Sequence, residues 1–177
     1  MSFTGILTGT SQGNSLIEHA VFHMFSHSAT KALLFISAVG LYEVSGERKD
    51  YRSLRGAGYR NPLAGLGFAV GAFSMVGFPM LSGFISKLLF ATSALQSPHK
   101  MMLTLIGLAV STVLNAVYFL RLVITLYTQN QESEGRVRMQ SGMLKGAILC
   151  FILLNLALGL CSQPIVRAIA DGLAMFD

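Results

Sequence analysis

His19, His23, His27 and Lys31 follow one another at intervals of four in a stretch otherwise dominated by Ala, Val, Phe, Met, Leu and Ile. Residues four apart share a helix face, so these side chains form a slowly winding ionisable track. Twelve residues at about 1.5 Å each make it roughly 18 Å long, more than half of a hydrocarbon core of about 30 Å. An imidazole can accept a proton on one ring nitrogen while donating from the other. The proton affinity of a lysine amine responds to burial. The chemistry this points to is proton transfer, and the cost of ionisable groups inside a membrane makes function the default reading. Glu18 and His19 stand at the near end as accessory uptake groups.

A second lysine, Lys87, follows Gly77-Phe78-Pro79 and Ser82-Gly83. Proline lacks an N–H and glycine accepts backbone angles that other residues avoid, so Gly77, Pro79 and Gly83 predict a broken helix. Freed carbonyls and water at such a break can line a cavity at membrane depth. Arg121 lies near the end of a later helix, where an accessory role competes with simple anchoring at the interface. Phe73, Met75 and Phe78 read as a packing stripe, and His99 as a solvated turn residue.

Three imidazoles on one face also fit a zinc or haem ligand set. Against it, HExxH is absent, since Glu18 precedes His19, and no second helix offers an obvious ligand. Cys150 and Cys161 have no CxxC spacing and are expected to pack in apolar surroundings rather than form a disulfide or bind metal. There is no GxGxxG after a strand and no CxxCH, so no cofactor and no redox chemistry of the chain's own are expected.

The elements that must hold these groups are helices in a membrane. Of 177 residues, 53% are hydrophobic and only 12% charged, and the mean hydropathy of +0.59 lies above that of an ordinary soluble domain. Most charge is confined to 43–60 and 132–145, which separates spans from loops. The net charge of +5 does not point to nucleic acid: Arg48, Lys49, Arg52, Arg55 and Arg60 sit beside a hydrophobic span, as cytoplasmic anchors to a lipid bilayer do. The fold class is all-α, a polytopic transmembrane helix bundle with a discontinuous helix and a C-terminal amphipathic helix.

Residues 1–13 read as a partial helix ending in a turn-like break at 11–14, with no basic segment to mark a cleavable signal. The first complete helix is expected over 15–42, a polar connection over 52–61, and a helix opening on Pro62, where a missing N–H does no harm. Gly65, Gly67 and Gly71 would let neighbouring helices approach. As one straight helix 62–96 would run roughly 50 Å, so two short spans or a bent pair fit better. A turn at 97–100 precedes a helix over 101–127. Another span follows over Gly142–Leu160, read as almost without polar groups after Lys145. Ile165, Ile169 and Leu173 recur at i+4 within 163–177, predicting a short helix lying at the interface. One membrane domain over 1–177 is the economical division. If the broken segment makes two spans, the basic loop 43–61 and the turn at Lys100 share the cytoplasmic side.

Three motifs carry a resemblance. Residues 20–35, AVFHMFSHSATKALLF, resemble the FHxxxHAxxKALLF helix of the antiporter-like membrane subunits of respiratory complex I and of Mrp-type sodium/proton antiporters. Gly77-Phe78-Pro79 with Gly83-Phe84 and Lys87 is similar to that family's G-x-P and GF-x-x-K on a discontinuous helix, and Tyr118 to Leu122 gives a weaker third match. The likeness is to the C-terminal part of such subunits, and it implies that the family's first repeat and the opening of its second, with the glutamate–lysine pair carried there, have no counterpart in these residues. It implies a proton- or sodium-translocating subunit, or a fragment of one, in an NADH:quinone oxidoreductase, hydrogenase or Mrp-antiporter complex. His23, His27, Lys31 and Lys87 would form the relay, with other membrane subunits as partners. The location implied is a prokaryotic plasma membrane or the mitochondrial inner membrane. The competing readings are a non-conducting assembly fragment and the His-ladder metal or haem protein.

Overall fold

The computed structural model describes residues 11–48, 50–95, 98–128 and 142–173. Among them eight helices and no strand occur. Helix α1 is Ser11–Val44, and its start overturns the expected turn at 11–14. The first N–H groups of a helix have no intrahelical acceptor in any case, so Ser, Gln, Gly and Asn are tolerated there. Residues 11–13 of the expected partial helix therefore belong to α1, and 1–10 lie outside the described residues. The helix closes where Ser45 Oγ donates to the Leu41 carbonyl at 2.8 Å and Gly46 turns left-handed at φ +67°.

The expected polar connection over 52–61 holds two single-turn helices, α2 (Tyr51–Leu54) and α3 (Ala57–Arg60). Four residues are too few to show a helical period, which is why the pattern gave no sign of them. Asp50 caps α2, and Arg60 Nη2 ties α3 back to the Ser53 carbonyl at 2.7 Å. Helix α4, Pro62–Val76, opens on its proline as expected. Asn61 Oδ1 accepts from Ala64 N at 3.3 Å while its Nδ2 donates to the Gly40 carbonyl of α1 at 3.2 Å. One side chain thus caps α4 and fixes it to α1.

Close packing of α4 on α1 follows from the glycines. A Cβ on Gly71 would stand 2.8 Å from Leu34 Cγ, and one on Gly67 would overlap Ser37 Oγ. Gly77 ends α4 at φ +95°, in the left-handed closure that glycine permits. Helix α5 starts at Ser82 and runs to Leu95, leaving 77–81 as the break. Gly83 falls beyond the break, in the first turn of α5, and its bare Cα admits the Ser74 carbonyl, which a Cβ would overlap.

Down α1, Gly40 meets Asn61, Thr30 meets both Ser74 and Ser82, and His23 meets Ser86. Residue numbers on α4 and α5 rise as those on α1 fall. The two are therefore successive halves of one interrupted helix antiparallel to α1, not separate spans, and the premise of the charge-based orientation is removed.

Helix α6, Pro98–Tyr127, starts at its proline, so 98–100 are helical where a turn was expected. Helix α7 is Gly142–Leu160, with its expected bounds, and α8 is Ser162–Leu173. Ile17–Val44, Met102–Tyr127 and Gly142–Leu160 are long and apolar enough to cross a membrane. Pro62–Val76 is apolar but shorter. The core gathers Leu33, Leu41, Ala64, Leu126, Ile148 and Ile152 from α1, α4, α6 and α7. On α8, Ile165, Val166, Ile169 and Ala170 are half-buried while Arg167 and Asp171 are exposed, so the amphipathic pattern is realised against the bundle. Cys150 and Cys161 are exposed free thiols, which corrects the packing expectation: their positions fall outside the buried stripe Ile148, Ile152, Asn155, Gly159 of α7.

Candidate functional site

A cavity of about 280 Å³ lies between α1, the two halves of the interrupted helix, and α6. His23 and His27 enter it from α1, Lys87 from α5, and Ser111 and Asn115 from α6, with hydroxyls of Ser26, Thr30, Ser74 and Ser86 around them. No carboxylate lines it.

The i, i+4 spacing does what it predicts: the rings of His23 and His27 stack with centroids 5.3 Å apart and planes 25° apart. Phe90 meets His23 edge-on at 5.2 Å, and His23 Nδ1 is hydrogen-bonded to Ser86 Oγ at 2.5 Å. One imidazole nitrogen is thereby engaged by α5.

Lys87 owes its position to the break. Its Nζ donates to the carbonyls of Val76 at 2.6 Å and Met75 at 3.1 Å, and to Thr112 Oγ1 at 3.0 Å. Those carbonyls are the last of α4, where the helix ends without continuing partners and carries its partial negative charge. Its aliphatic stem rests over Gly77, whose missing Cβ would stand 3.1 Å from Lys87 Cδ. The ammonium is therefore held by a helix terminus, which no counting of acidic residues along the sequence could reveal.

Lys31 is placed apart. It is exposed, near the middle of the span Ile17–Val44, and has no hydrogen-bond partner among the described residues. It borders a second, larger cavity of about 710 Å³ between α1, α4 and α6, walled by Leu34, Phe35, Phe68, Tyr118 and Phe119 and lined also by Arg48. Met75 lines both cavities and so stands between Lys31 and the histidine–Lys87 chamber. The packing stripe read from the sequence included this residue without distinguishing its place.

Glu18 and His19 are half-buried on α1, beyond the residues that line either cavity. Arg121 lies away from the chamber, its guanidinium 5.4 Å from the centre of the Tyr51 ring. Among the described residues no group of three His, Cys, Asp or Glu is arranged to hold a metal. His99 falls in the first turn of α6.

Sequence reasoning passed over Thr112, Ser86 and a buried cluster of Thr30, Ser74, Ser82 and Asn155. Serine and threonine are common in membrane helices and announce nothing individually. Two signals were present, however: Ser26 and Thr30 lie three residues past His23 and His27, on their face, and Asn155 is the one amide in an otherwise apolar run.

The transmembrane family described as NADH:quinone oxidoreductase/Mrp antiporter matches residues 1–115. Chain 5 of NADH-ubiquinone oxidoreductase from Metridium senile is 30% identical over 129 residues, 73% of this chain and 21% of that protein. Subunit N of NADH-quinone oxidoreductase from Geotalea uraniireducens is 26% identical over 93% of this chain and 34% of that one. The Rhodococcus opacus subunit N is 25% identical over 97% and 32%. The chain thus spans between about a fifth and a third of these relatives' length. Its apolar helices and this match make it a membrane protein, and the chain belongs to the NADH:quinone oxidoreductase/Mrp antiporter transmembrane family.

Proposed function

We propose that the chain is an antiporter-like membrane subunit, or a segment of one, that passes protons through His23, His27 and Lys87, with Lys31 on the far side of Met75. The observation that carries this is the shared chamber: two stacked imidazoles and an amine face a cavity of about 280 Å³ lined by hydroxyls. A cavity of that size has room for several waters, each needing two to four polar partners, and the hydroxyls supply them. The imidazoles can take and give protons at different nitrogens, and hydroxyls both donate and accept, so hydrogen bonds can run through the chamber without a break. The amine is held by uncharged carbonyls, so it is not locked into a salt bridge that proton loss would have to break.

The relatives' names place them in NADH-quinone oxidoreductases, which supports other membrane subunits as partners. In this reading such a subunit alters the protonation of the chamber by moving the break, and the chain carries no redox step. Proton flux in membranes containing the assembled complex tests it. Lys87→Met is expected to lower flux on the order of a hundredfold, the scale of losing a positioned proton-transfer group. His27→Phe and Lys31→Met should lower it as well. Unchanged flux in Lys87→Met, with the complex assembled, overturns the relay and leaves a structural subunit.

A further inference from the structure

Four buried polar side chains from four helix segments meet beside the chamber: Thr30 of α1, Ser74 of α4, Ser82 of α5 and Asn155 of α7. Asn155 is the bridge. Its Nδ2 donates to Thr30 Oγ1 at 2.8 Å, and its Oδ1 accepts from Ser82 Oγ at 3.1 Å. Ser74 Oγ lies 3.3 Å from both Thr30 Oγ1 and Ser82 Oγ and accepts from Gly83 N at 3.2 Å. Nothing in proton transfer as proposed above uses Asn155, which borders neither cavity. It is nonetheless fully buried in an apolar span, where an amide is tolerated only when its partners satisfy it.

The cluster sits where relative placement of α1 and α5 is decided. Ser82 is the first residue of α5, and one turn further on Ser86 meets His23 and Lys87 meets the end of α4. The break of 77–81 leaves α5 without continuous backbone hydrogen bonding to α4, so its register along α1 must be set by side chains. One turn along α7 from Asn155, Gly159 packs against the break itself, where a Cβ would overlap the Met80 carbonyl. Met80 holds a positive φ of +75°, a conformation that needs outside support in a residue with a side chain. One face of α7 therefore grips both the break and the start of the helix beyond it.

We infer that Asn155 is a positioning residue for the chamber: its amide bridges Thr30 and Ser82, fixing α5 against α1 so that Ser86 reaches His23 and Lys87 reaches the α4 terminus. The inference rests on the proton-transfer reading for its functional consequence, but its structural part does not.

The test is hydrogen exchange and proton flux in parallel, on the full chain in its assembled membrane complex. Asn155→Leu keeps the volume and removes both hydrogen bonds. Amides of 82–87 are expected to exchange about tenfold faster or more, with those of 108–120 unchanged, since local opening is governed by local contacts. Flux should fall by a similar factor. Ser82→Ala, a smaller change that keeps the chain folded if Asn155→Leu does not, should reproduce the exchange effect in part. Adding it to Asn155→Leu should add little, because both remove the same bridge. Exchange over 82–87 within twofold of the parent in both variants, or acceleration spread equally over α6, overturns the inference. If exchange accelerates over 82–87 alone while flux is unchanged in Asn155→Leu but lost in Lys87→Met, the positioning role is overturned and the relay stands. Flux unchanged in Lys87→Met defeats the relay instead, and exchange then decides the register claim by itself.

Discussion

The two lysines sit in one bundle and are held in opposite ways. Lys87 is half-buried, with three oxygens on its ammonium and hydroxyls around it. Lys31 is exposed on the surface of α1, beside a large cavity with mostly apolar walls and no oxygen partner among the described residues. The difference teaches that the interrupted helix offers a cation backbone oxygens in place of a carboxylate. An unbroken helix such as α1 has its mid-span carbonyls already bonded along the helix, so each offers an outside donor one further lone pair, as Gly40 offers Asn61, rather than a free terminus. A lysine on it must find its partner outside the helix.

That contrast can be broken in measurable ways. The largest expected effect is on folding stability: Lys87→Met leaves two terminal carbonyls of α4 without their donor and should cost about 1–3 kcal/mol. Lys31→Met should change stability by no more than about 0.5 kcal/mol. Denaturation of the chain in detergent compares them, and equal losses would erase the distinction drawn here. Next in size is Met75→Ala, which opens the wall shared by the two cavities. Truncating a packed methionine costs roughly 2 kcal/mol at the low end of the usual range. It should also raise passive proton leak in vesicles holding the chain, whereas an unaltered leak would mean that Met75 is packing alone.

The smallest effect lies outside the membrane, at Asp50. Its carboxyl is held below the ordinary carboxylate value by its own backbone N–H, then by the hydroxyl and amide of Ser53 and by Arg48, which together outweigh desolvation. A depressed folded value means that the cap stabilises α2 above the unfolded carboxyl value near 3.8 and that this is lost as pH falls through the lower folded value. Exchange at the Ser53 amide should therefore stay protected at pH 5 and quicken in stronger acid. In Asp50→Ala it should be fast throughout, and a parent curve flat into strong acid would count against the cap.

Much of this arrangement was legible before any geometry. Pro62 at the first turn of α4 and the closure at Gly77 follow from backbone chemistry written into single residues, and the bounds of Gly142–Leu160 follow from an apolar run. That His23 and His27 lie side by side on one helix face follows from their spacing, while the stacking of their rings does not. What could not be read depended on where chain segments distant in sequence meet. The partners of Lys87 are carbonyls, which every residue has, so no residue type marks them. Thr30, Ser82 and Asn155 are separated by up to 125 positions and gain meaning only from contact. The small helices α2 and α3 were hidden for a different reason, since a single turn is too short for periodicity to register.

In the proposed relay a carboxylate counter-ion beside Lys87 would take up a proton itself and so compete for the charge being passed. The backbone oxygens that anchor the Lys87 amine have no such capacity: they remain partly negative whether the amine is charged or neutral, and their side of the nitrogen is a dead end for a proton. In the proposed relay, arrival and departure at this nitrogen would be confined to the direction of Thr112, so that a helix stopping at Gly77 would impose a one-sided geometry on the exchange.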